Sequence, residues 1–143
     1  MRRFEIADGF KNEEVVLPQR GTKKAAGYDF RSLEGGVVQP GQTVMFKTGV
    51  TVLMEDDEVL YLVPRSGLAK DYNITLMNTP GIIDADYYPN AISALVHNAG
   101  ALPFVVNPGD RICQGVFGKF LITDDDMPKD VERESGWGHT GTK

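Results

Sequence analysis

Two carboxylates, Asp84 and Asp86, lie two residues apart in a turn-rich and partly apolar segment, residues 78–88. In a strand or hairpin, residues with this spacing project to the same face. One carboxylate could then act as a partly buried general base while the other makes structural hydrogen bonds, because different environments separate the roles of paired acids. An acidic hairpin tip without chemistry is the alternative.

A possible anion site is formed by Pro64-Arg65-Ser66-Gly67, which follows an apolar segment and opens a possible helical turn. Backbone N–H groups at the start of a helix point outward, and together with Arg65 and Ser66 they would form a pocket for phosphate or carboxylate. In the alternative interpretation Ser66 caps the helix. The residues themselves favour neither.

Two further polar residues stand in segments typical of strands. Asp29 lies in Ala-Gly-Tyr-Asp-Phe, where a solvated residue at a strand end is the simple alternative. Gln114 lies in Gly-Asp-Arg-Ile-Cys-Gln-Gly-Val-Phe, where strand alternation places it on one face with Ile112 and Val116. A buried amide must find hydrogen-bond partners, and these could be structural or catalytic.

The C-terminal end differs from the rest of the chain. Residues 134–143 are rich in Gly, Ser and Thr, and they include Trp137, His139 and Thr140 just after Arg133. Such a segment is either a frayed terminus or an arm that becomes ordered on a ligand. An aromatic ring and several donors would suit an arm that closes over a base and its phosphates.

The elements that position these residues are predicted to be short strands. Gly and Pro account for 24 of 143 residues and occur at short intervals, so no long helical periodicity survives. Residues 66–70 form the one plausible helical turn. The predicted all-β fold is a sandwich or jelly roll. Its candidate strands are residues 14–17, 28–31, 43–47, 50–54, 59–63, 74–78, 92–97, 104–106 and 111–122.

Composition excludes several classes of protein. A formal charge of −5 argues against tight binding to a nucleic acid backbone, which requires clustered Lys and Arg. No apolar stretch approaches the roughly 20 residues of a membrane helix, and no signal segment is recognised, so we expect a cytoplasmic protein without membrane contact. Cys113 is the single cysteine, and its apolar neighbours predict that it packs in the core.

In their order along the chain, the clusters resemble the five motifs of the homotrimeric dUTPase family, from residue 26 to residue 141. The matching segments are AGYDF, PRSGLA, NTPGIIDADYY, GDRICQGVF and, in modified form, RESGWGHTG. In the fifth motif Trp137 stands where the family usually has Phe, and Ser135 where it has Gly. An indole can stack on a base at least as well as a phenyl ring.

The resemblance implies a dUTPase-like β jelly roll, residues 1–122, followed by a linker and a C-terminal arm, residues 123–143, that closes an active site. It implies a homotrimer with shared active sites that hydrolyses dUTP to dUMP and pyrophosphate with Mg²⁺, which limits dUTP and supplies dUMP for thymidylate synthesis.

The resemblance also implies a role for each matching residue. Asp84 would be the catalytic base and Gln114 the catalytic amide near the attacking water, while Asp29 would hold the Mg²⁺ shell through water. Tyr87 would lie beneath the deoxyribose and exclude a 2′-hydroxyl. The remaining substrate contacts would be Arg65, Ser66 and Gly67 to the phosphates, Asn78, Ile82, Ile83 and Asp84 to uracil, and Arg133, Trp137, His139 and Thr140 from the arm.

Two alternatives to this enzyme remain. A dCTP deaminase of the same fold would need a catalytic Glu, but none occurs between Glu58 and Glu132. A non-catalytic, nucleotide-dependent regulatory protein would be favoured by loss of Asp84, Asp29 or Gln114, and all three are present. A regulatory role toward an unknown protein partner is compatible with either function.

Overall fold

The computed structural model describes residues 1–138 of the chain. In this part the chain forms twelve β-strands, one α-helix and one 3-10 helix. The elements in chain order are β1 (Arg3–Ile6), β2 (Gln19–Arg20), β3 (Tyr28–Arg31), β4 (Gly36–Val38), β5 (Thr43–Lys47), β6 (Val50–Leu53), β7 (Glu58–Val63), α1 (Ser66–Tyr72), β8 (Ile74–Leu76), β9 (Gly81–Asp84), the 3-10 helix (Ala85–Tyr87), β10 (Ser93–Asn98), β11 (Phe104–Val106) and β12 (Arg111–Lys119).

All strand pairs are antiparallel. The largest sheet has the order β2-β3-β12-β7-β9, and a second sheet has the order β5-β10-β8. Two further pairs, β1-β6 and β11-β4, complete the architecture. Neighbours in a sheet are mostly distant in sequence, as in a jelly roll, so the predicted fold class is confirmed.

The core lies between the sheets and follows from strand alternation. In β10 the residues Ala94, Val96 and Asn98 are buried while their neighbours are half-buried, which is the period of two that a strand with one inward face requires. The buried amide of Asn98 donates to the carbonyls of Val38 and Leu102, so its burial leaves no unpaired donor. The largest buried apolar side chains include Phe30, Phe46, Leu60, Ile74 and Ile92.

Most predicted strands form, and three, β3, β5 and β11, have the predicted bounds. The strand predicted at residues 14–17 is wrong. Its Val15 N–H bonds back to the Glu13 carbonyl in a tight turn, and Val16 and Leu17 are exposed, so this apolar run has no strand partner. The strand predicted to reach residue 122 ends at Lys119, after which Leu121 is almost fully exposed.

The predicted helical turn is present as α1, which extends to Tyr72. It ends at Asn73, whose left-handed backbone (φ 56°) is a conformation that Asn tolerates better than most residues. No helix in residues 1–138 has the length and apolar character needed to span a membrane. Cys113 is fully buried in the core, as predicted.

Candidate active site

Asp84 is the last residue of β9 and pairs with Val59 of the neighbouring strand β7. The chain then turns at once into the 3-10 helix Ala85–Tyr87, which carries Asp86. The Asp84 side chain remains about half exposed. A rigid sheet therefore holds one carboxylate at a solvent-accessible position while a tight turn presents the second beside it.

Arg133 joins the two carboxylates. Its Nη2 donates to Asp84 Oδ2 at 2.6 Å, and its Nε donates to Asp86 Oδ1 at 2.7 Å. The Arg133 side chain is only 20% exposed, so it is the most buried of the three side chains in this ion-pair cluster. Both carboxylates contact the same guanidinium. The predicted alternation within a strand or hairpin is not the cause, because Asp84 ends β9 and Asp86 lies in the following 3-10 helix.

A cavity of about 170 Å³ adjoins this cluster. Typical ligand pockets measure about 300–1,000 Å³, so this one suits a single flat ring better than a whole nucleotide. Eight of the residues that line it belong to the strand and loop framework and three to the segment after β12. They are Leu62, Asn78, Gly81, Ile82, Ile83, Asp84, Tyr87 and Ser93, with Arg133, Gly136 and Trp137.

Tyr87 forms one wall of this cavity. Its hydroxyl donates to the Ala91 carbonyl at 2.9 Å, which fixes the ring. Burial raises the pKa of Tyr87, while a hydrogen bond from the Trp137 side chain and the positive charge of Arg133 oppose the shift. Gly136 packs directly on the ring, because a Cβ there would lie 2.6 Å from Tyr87 Cε1. Gly136, the first glycine of the C-terminal segment, thus serves close packing.

A second polar cluster surrounds Asp29. Its Oδ1 lies 3.3 Å from Arg65 Nε, and its Oδ2 lies 3.4 Å from Arg111 Nη1. The Asp29 side chain is 19% exposed. Two guanidinium groups around one carboxylate leave a net positive charge, which favours an anion at this point.

Arg65 also begins helix α1. It occupies the N-cap position without a side-chain capping bond, and Ser66 is already inside the helix. The interpretation of Ser66 as the cap is therefore wrong. Ser66 and Gly67 are exposed, so their backbone N–H groups face solvent beside Arg65.

Gln114 belongs to this second cluster. Its Nε2 donates to the Pro64 carbonyl at 3.0 Å, and its Cα pairs with that of Asp29 across β12 and β3. The prediction that Gln114 shares a face with Ile112 is wrong. The register shifts between Arg111 and Cys113, and this bulge turns both Ile112 and Cys113 into the core.

The two clusters are well separated within one chain. Asp84 pairs with Val59 and Gln114 with Val63 of the same strand, β7, on its opposite edges. Four residues along a strand cover roughly 13 Å, and two strand spacings cover roughly 10 Å across the sheet. Because these directions are perpendicular, the Cα atoms of Asp84 and Gln114 lie about 16 Å apart. A base, its water and the attacked phosphorus together span only about 6 Å. One chain does not bring these residues to one reacting atom.

The described residues place the predicted site residues in two clusters, one around Asp84 and one around Asp29. His139 and Thr140 lie outside the described residues. Asp86 was predicted only as the second carboxylate of the pair, and neither Arg111 nor Gly136 was among the predicted site residues. For Arg111, the sequence gives no signal until the pairing of β12 with β3 is known. Within residues 1–138, no three His, Cys, Asp or Glu side chains come together as a metal cage.

Comparison with known proteins shows to which family the chain is similar. The family model described as dUTPase matches residues 13–141. The deoxyuridine 5'-triphosphate nucleotidohydrolase of Lactococcus lactis is 35% identical over 99% of this chain and 98% of its own length. That of Actinobacillus pleuropneumoniae is 37% identical over 96% and 95%. The crystal structure of the Streptococcus mutans dUTPase superposes with a TM-score of 0.77 at 38% identity, covering 85% of this chain and 98% of that one. The chain belongs to the dUTPase family.

Proposed function

We propose that this protein hydrolyses dUTP to dUMP and pyrophosphate with Mg²⁺, in sites that each draw residues from two copies of the chain. Family membership supports the reaction. The observation that carries the assignment of roles is the position of Asp84, a carboxylate at the rim of a cavity sized for one base and in contact with an arginine. A nucleotide substrate also fits a cytoplasmic location.

In this proposal Asp84 is the general base. It accepts a proton from a water whose oxygen forms a bond to the α-phosphorus. The bond from this phosphorus to the oxygen bridging the α- and β-phosphates breaks in line with the attack, and pyrophosphate leaves with the bonding electrons. Such a step depends on positioning and on stabilising the developing charge.

Uracil would occupy the cavity between β9 and Tyr87. The backbone of Ile82 and Ile83 and the amide of Asn78 line this space and offer fixed donors and acceptors. A site built to hydrogen-bond one base edge leaves its own groups unpaired when a different edge enters. The Tyr87 ring would lie against the deoxyribose, where it leaves no room for a 2′-hydroxyl, and Trp137 would stack on the base.

The triphosphate would lie on the cluster of Asp29, Arg65 and Gln114. Arg65 and the exposed N–H groups of Ser66 and Gly67 supply donors for phosphate oxygens. Arg133 would add a contact to the γ-phosphate, and His139 and Thr140 of the arm would contribute further contacts in the closed state.

The donor set would fit Mg²⁺ once the triphosphate is bound, because its phosphates offset the positive charges of Arg65 and Arg111 beside Asp29. This ion keeps several waters and needs only one or two carboxylates when substrate phosphates are present. Asp29 is a single, partly accessible carboxylate without a surrounding cage of acids in residues 1–138. Asp29 would therefore hold the ion through water, and the ion would neutralise charge on the phosphates.

A homotrimer would bring the proposed catalytic residues closer together than one chain does. The roughly 16 Å between Asp84 and Gln114, estimated from strand geometry, is too long for one water and one phosphorus. A heterologous contact that closes into a ring can bring the Asp84 of one copy to the Arg65 and Gln114 of the next, at three equivalent sites. The jelly roll, residues 1–122, would then be the catalytic domain and residues 123–143 the closing arm.

The experiment that tests the function is pyrophosphate release by the purified protein with Mg²⁺, comparing dUTP, dCTP, dTTP and UTP. We expect rapid release from dUTP alone. Ammonia release from dCTP would identify a deaminase instead. Tight binding of dUTP without release would identify a nucleotide-dependent regulatory protein, and the proposal would be wrong.

A further inference from the structure

Gly27 lies directly beneath the side chain of Gln114. A Cβ placed on Gly27 would meet Gln114 Oε1 at 2.0 Å and Cδ at 2.9 Å. Real Cβ atoms do not approach other heavy atoms this closely, so no larger residue fits while Gln114 keeps its place. The amide oxygen occupies the space that the missing side chain leaves.

The other end of the same amide is also fixed. Gln114 Nε2 donates to the Pro64 carbonyl at 3.0 Å, and Pro64 precedes Arg65. The amide is therefore held between two backbone segments, one at Gly27 and one at Pro64. This arrangement removes the rotational freedom that a half-buried glutamine side chain otherwise retains.

The requirement for glycine at position 27 comes from space, not from backbone conformation. Gly27 is not among the glycines with a left-handed backbone, which are Gly9, Gly41, Gly49, Gly109 and Gly138. Alanine can adopt the backbone conformation found there. A substitution therefore acts through the contact with Gln114.

We infer that Gly27 is a positioning residue for catalysis, because its missing side chain fixes where the Gln114 amide presents its atoms. The inference rests on the proposed function of Gln114 near the phosphates and the attacking water. In Gly27→Ala the amide must turn away from position 27 and give up its bond to Pro64 or its place in the site. A shift of about 1 Å in a catalytic group can lower the rate about 100-fold.

The test is a double-mutant cycle with a matched control. Gly27→Ala lowers kcat for dUTP by at least about tenfold. Gly21→Ala, the control, leaves kcat unchanged, because nothing lies within 4 Å of a Cβ at this exposed position. In a Gln114→Ala background the obstructing amide is gone, so adding Gly27→Ala produces no further loss. Full activity of Gly27→Ala, or an equal loss in both backgrounds, would overturn the inference.

Thermal unfolding gives a readout that does not depend on the reaction. Gly27→Ala lowers Tm by more in the wild type than in the Gln114→Ala background, because the steric conflict is with the Gln114 amide and disappears with it. This cycle remains informative when the single variant folds poorly or when the protein proves not to hydrolyse dUTP. Equal Tm losses with and without the Gln114 side chain would show that Gly27 acts on something else.

Discussion

Arg133 Nη2 lies 2.6 Å from Asp84 Oδ2, so a cation contacts one oxygen of the proposed base. The same guanidinium holds Asp86 through Nε. This bond uses one acceptor position on Oδ2, so it orients the Asp84 carboxylate while other positions on its two oxygens can still accept from water. We expect that the triphosphate competes with the two carboxylates for the guanidinium, because phosphate oxygens also accept two parallel bonds from an arginine.

Replacing Arg133 tests this competition. Arg133→Lys keeps the charge but loses the fork that spans both carboxylates, so we expect a loss of about tenfold or more in kcat/KM. Asp86→Asn, which leaves the contact to Asp84 intact, causes a smaller loss. Steady-state pyrophosphate release gives kcat/KM for the wild type, Arg133→Lys and Asp86→Asn. Wild-type kinetics for Arg133→Lys would mean that the guanidinium geometry has no role.

Trp137 offers an optical signal for binding. It is the only tryptophan of the chain, it lines the base cavity, and its side chain is half exposed. Stacking on uracil changes its surroundings, so its fluorescence shifts when a non-hydrolysable dUTP analogue and Mg²⁺ are added. Calorimetry confirms binding separately. An unchanged spectrum at saturation would place the indole away from the base.

Two substitutions at Tyr87 separate the ring from its hydroxyl. Tyr87→Phe keeps the ring and loses the bond to the Ala91 carbonyl, at a cost of about 1 kcal/mol in unfolding free energy. It retains the preference for dUTP over UTP. Tyr87→Ala removes the steric barrier to a 2′-hydroxyl, so the ratio of kcat/KM values for dUTP and UTP falls. An unchanged ratio in Tyr87→Ala would assign the selectivity to another group.

Because the Cys113 thiol is buried, we expect the free energy of unfolding to fall at alkaline pH. Burial, with a smaller contribution from the negative charge of Asp29, raises the pKa of its thiol from about 9 in the unfolded chain to about 12 in the fold. The folded state therefore favours the protonated thiol, and this contribution is fully present below pH 9 and declines between about pH 9 and 12. The decline amounts to about 1.4 kcal/mol per pH unit.

Denaturant unfolding at pH 8, 9 and 10 measures this contribution in wild type and in Cys113→Ala. Other groups that titrate in this range affect both proteins alike, so the difference between the two isolates the thiol. The stability of the wild type should fall more steeply. Parallel curves would mean that the thiol ionises as readily in the folded protein as in the unfolded chain.

The local sequence pattern predicted which segments form strands better than it predicted where those strands begin and end. β3, β5 and β11 formed as expected because each alternates or is apolar between turn signals. Residues 14–17 have the composition of a strand, yet they have no partner in the described part of the chain. The bulge in β12 was equally invisible, because it depends on register with β3, which a single segment does not encode.

The motifs predicted candidate site residues but not the distances between them. Nothing in the sequence indicates that Asp84 and Gln114 lie on opposite edges of β7, because that follows from sheet order. The role of Arg111 beside Asp29 and the contact of Gly27 with Gln114 also arise from strand pairing. Candidate catalytic and binding residues can be predicted from sequence motifs. The residues that orient them can be identified only when the strand pairing is known.

Complementation between two inactive variants tests the shared site most directly. Asp84→Asn lacks the base and Arg65→Ala lacks the phosphate contact, so each protein alone should be nearly inactive. In a ring of three, every mixed trimer contains one site with both residues intact, and an equal mixture should recover about one quarter of wild-type activity. Differently tagged chains allow mixed trimers to be isolated before the assay. Mixed trimers as inactive as their parents would contradict the claim that Asp84 and Arg65 of different copies form one site.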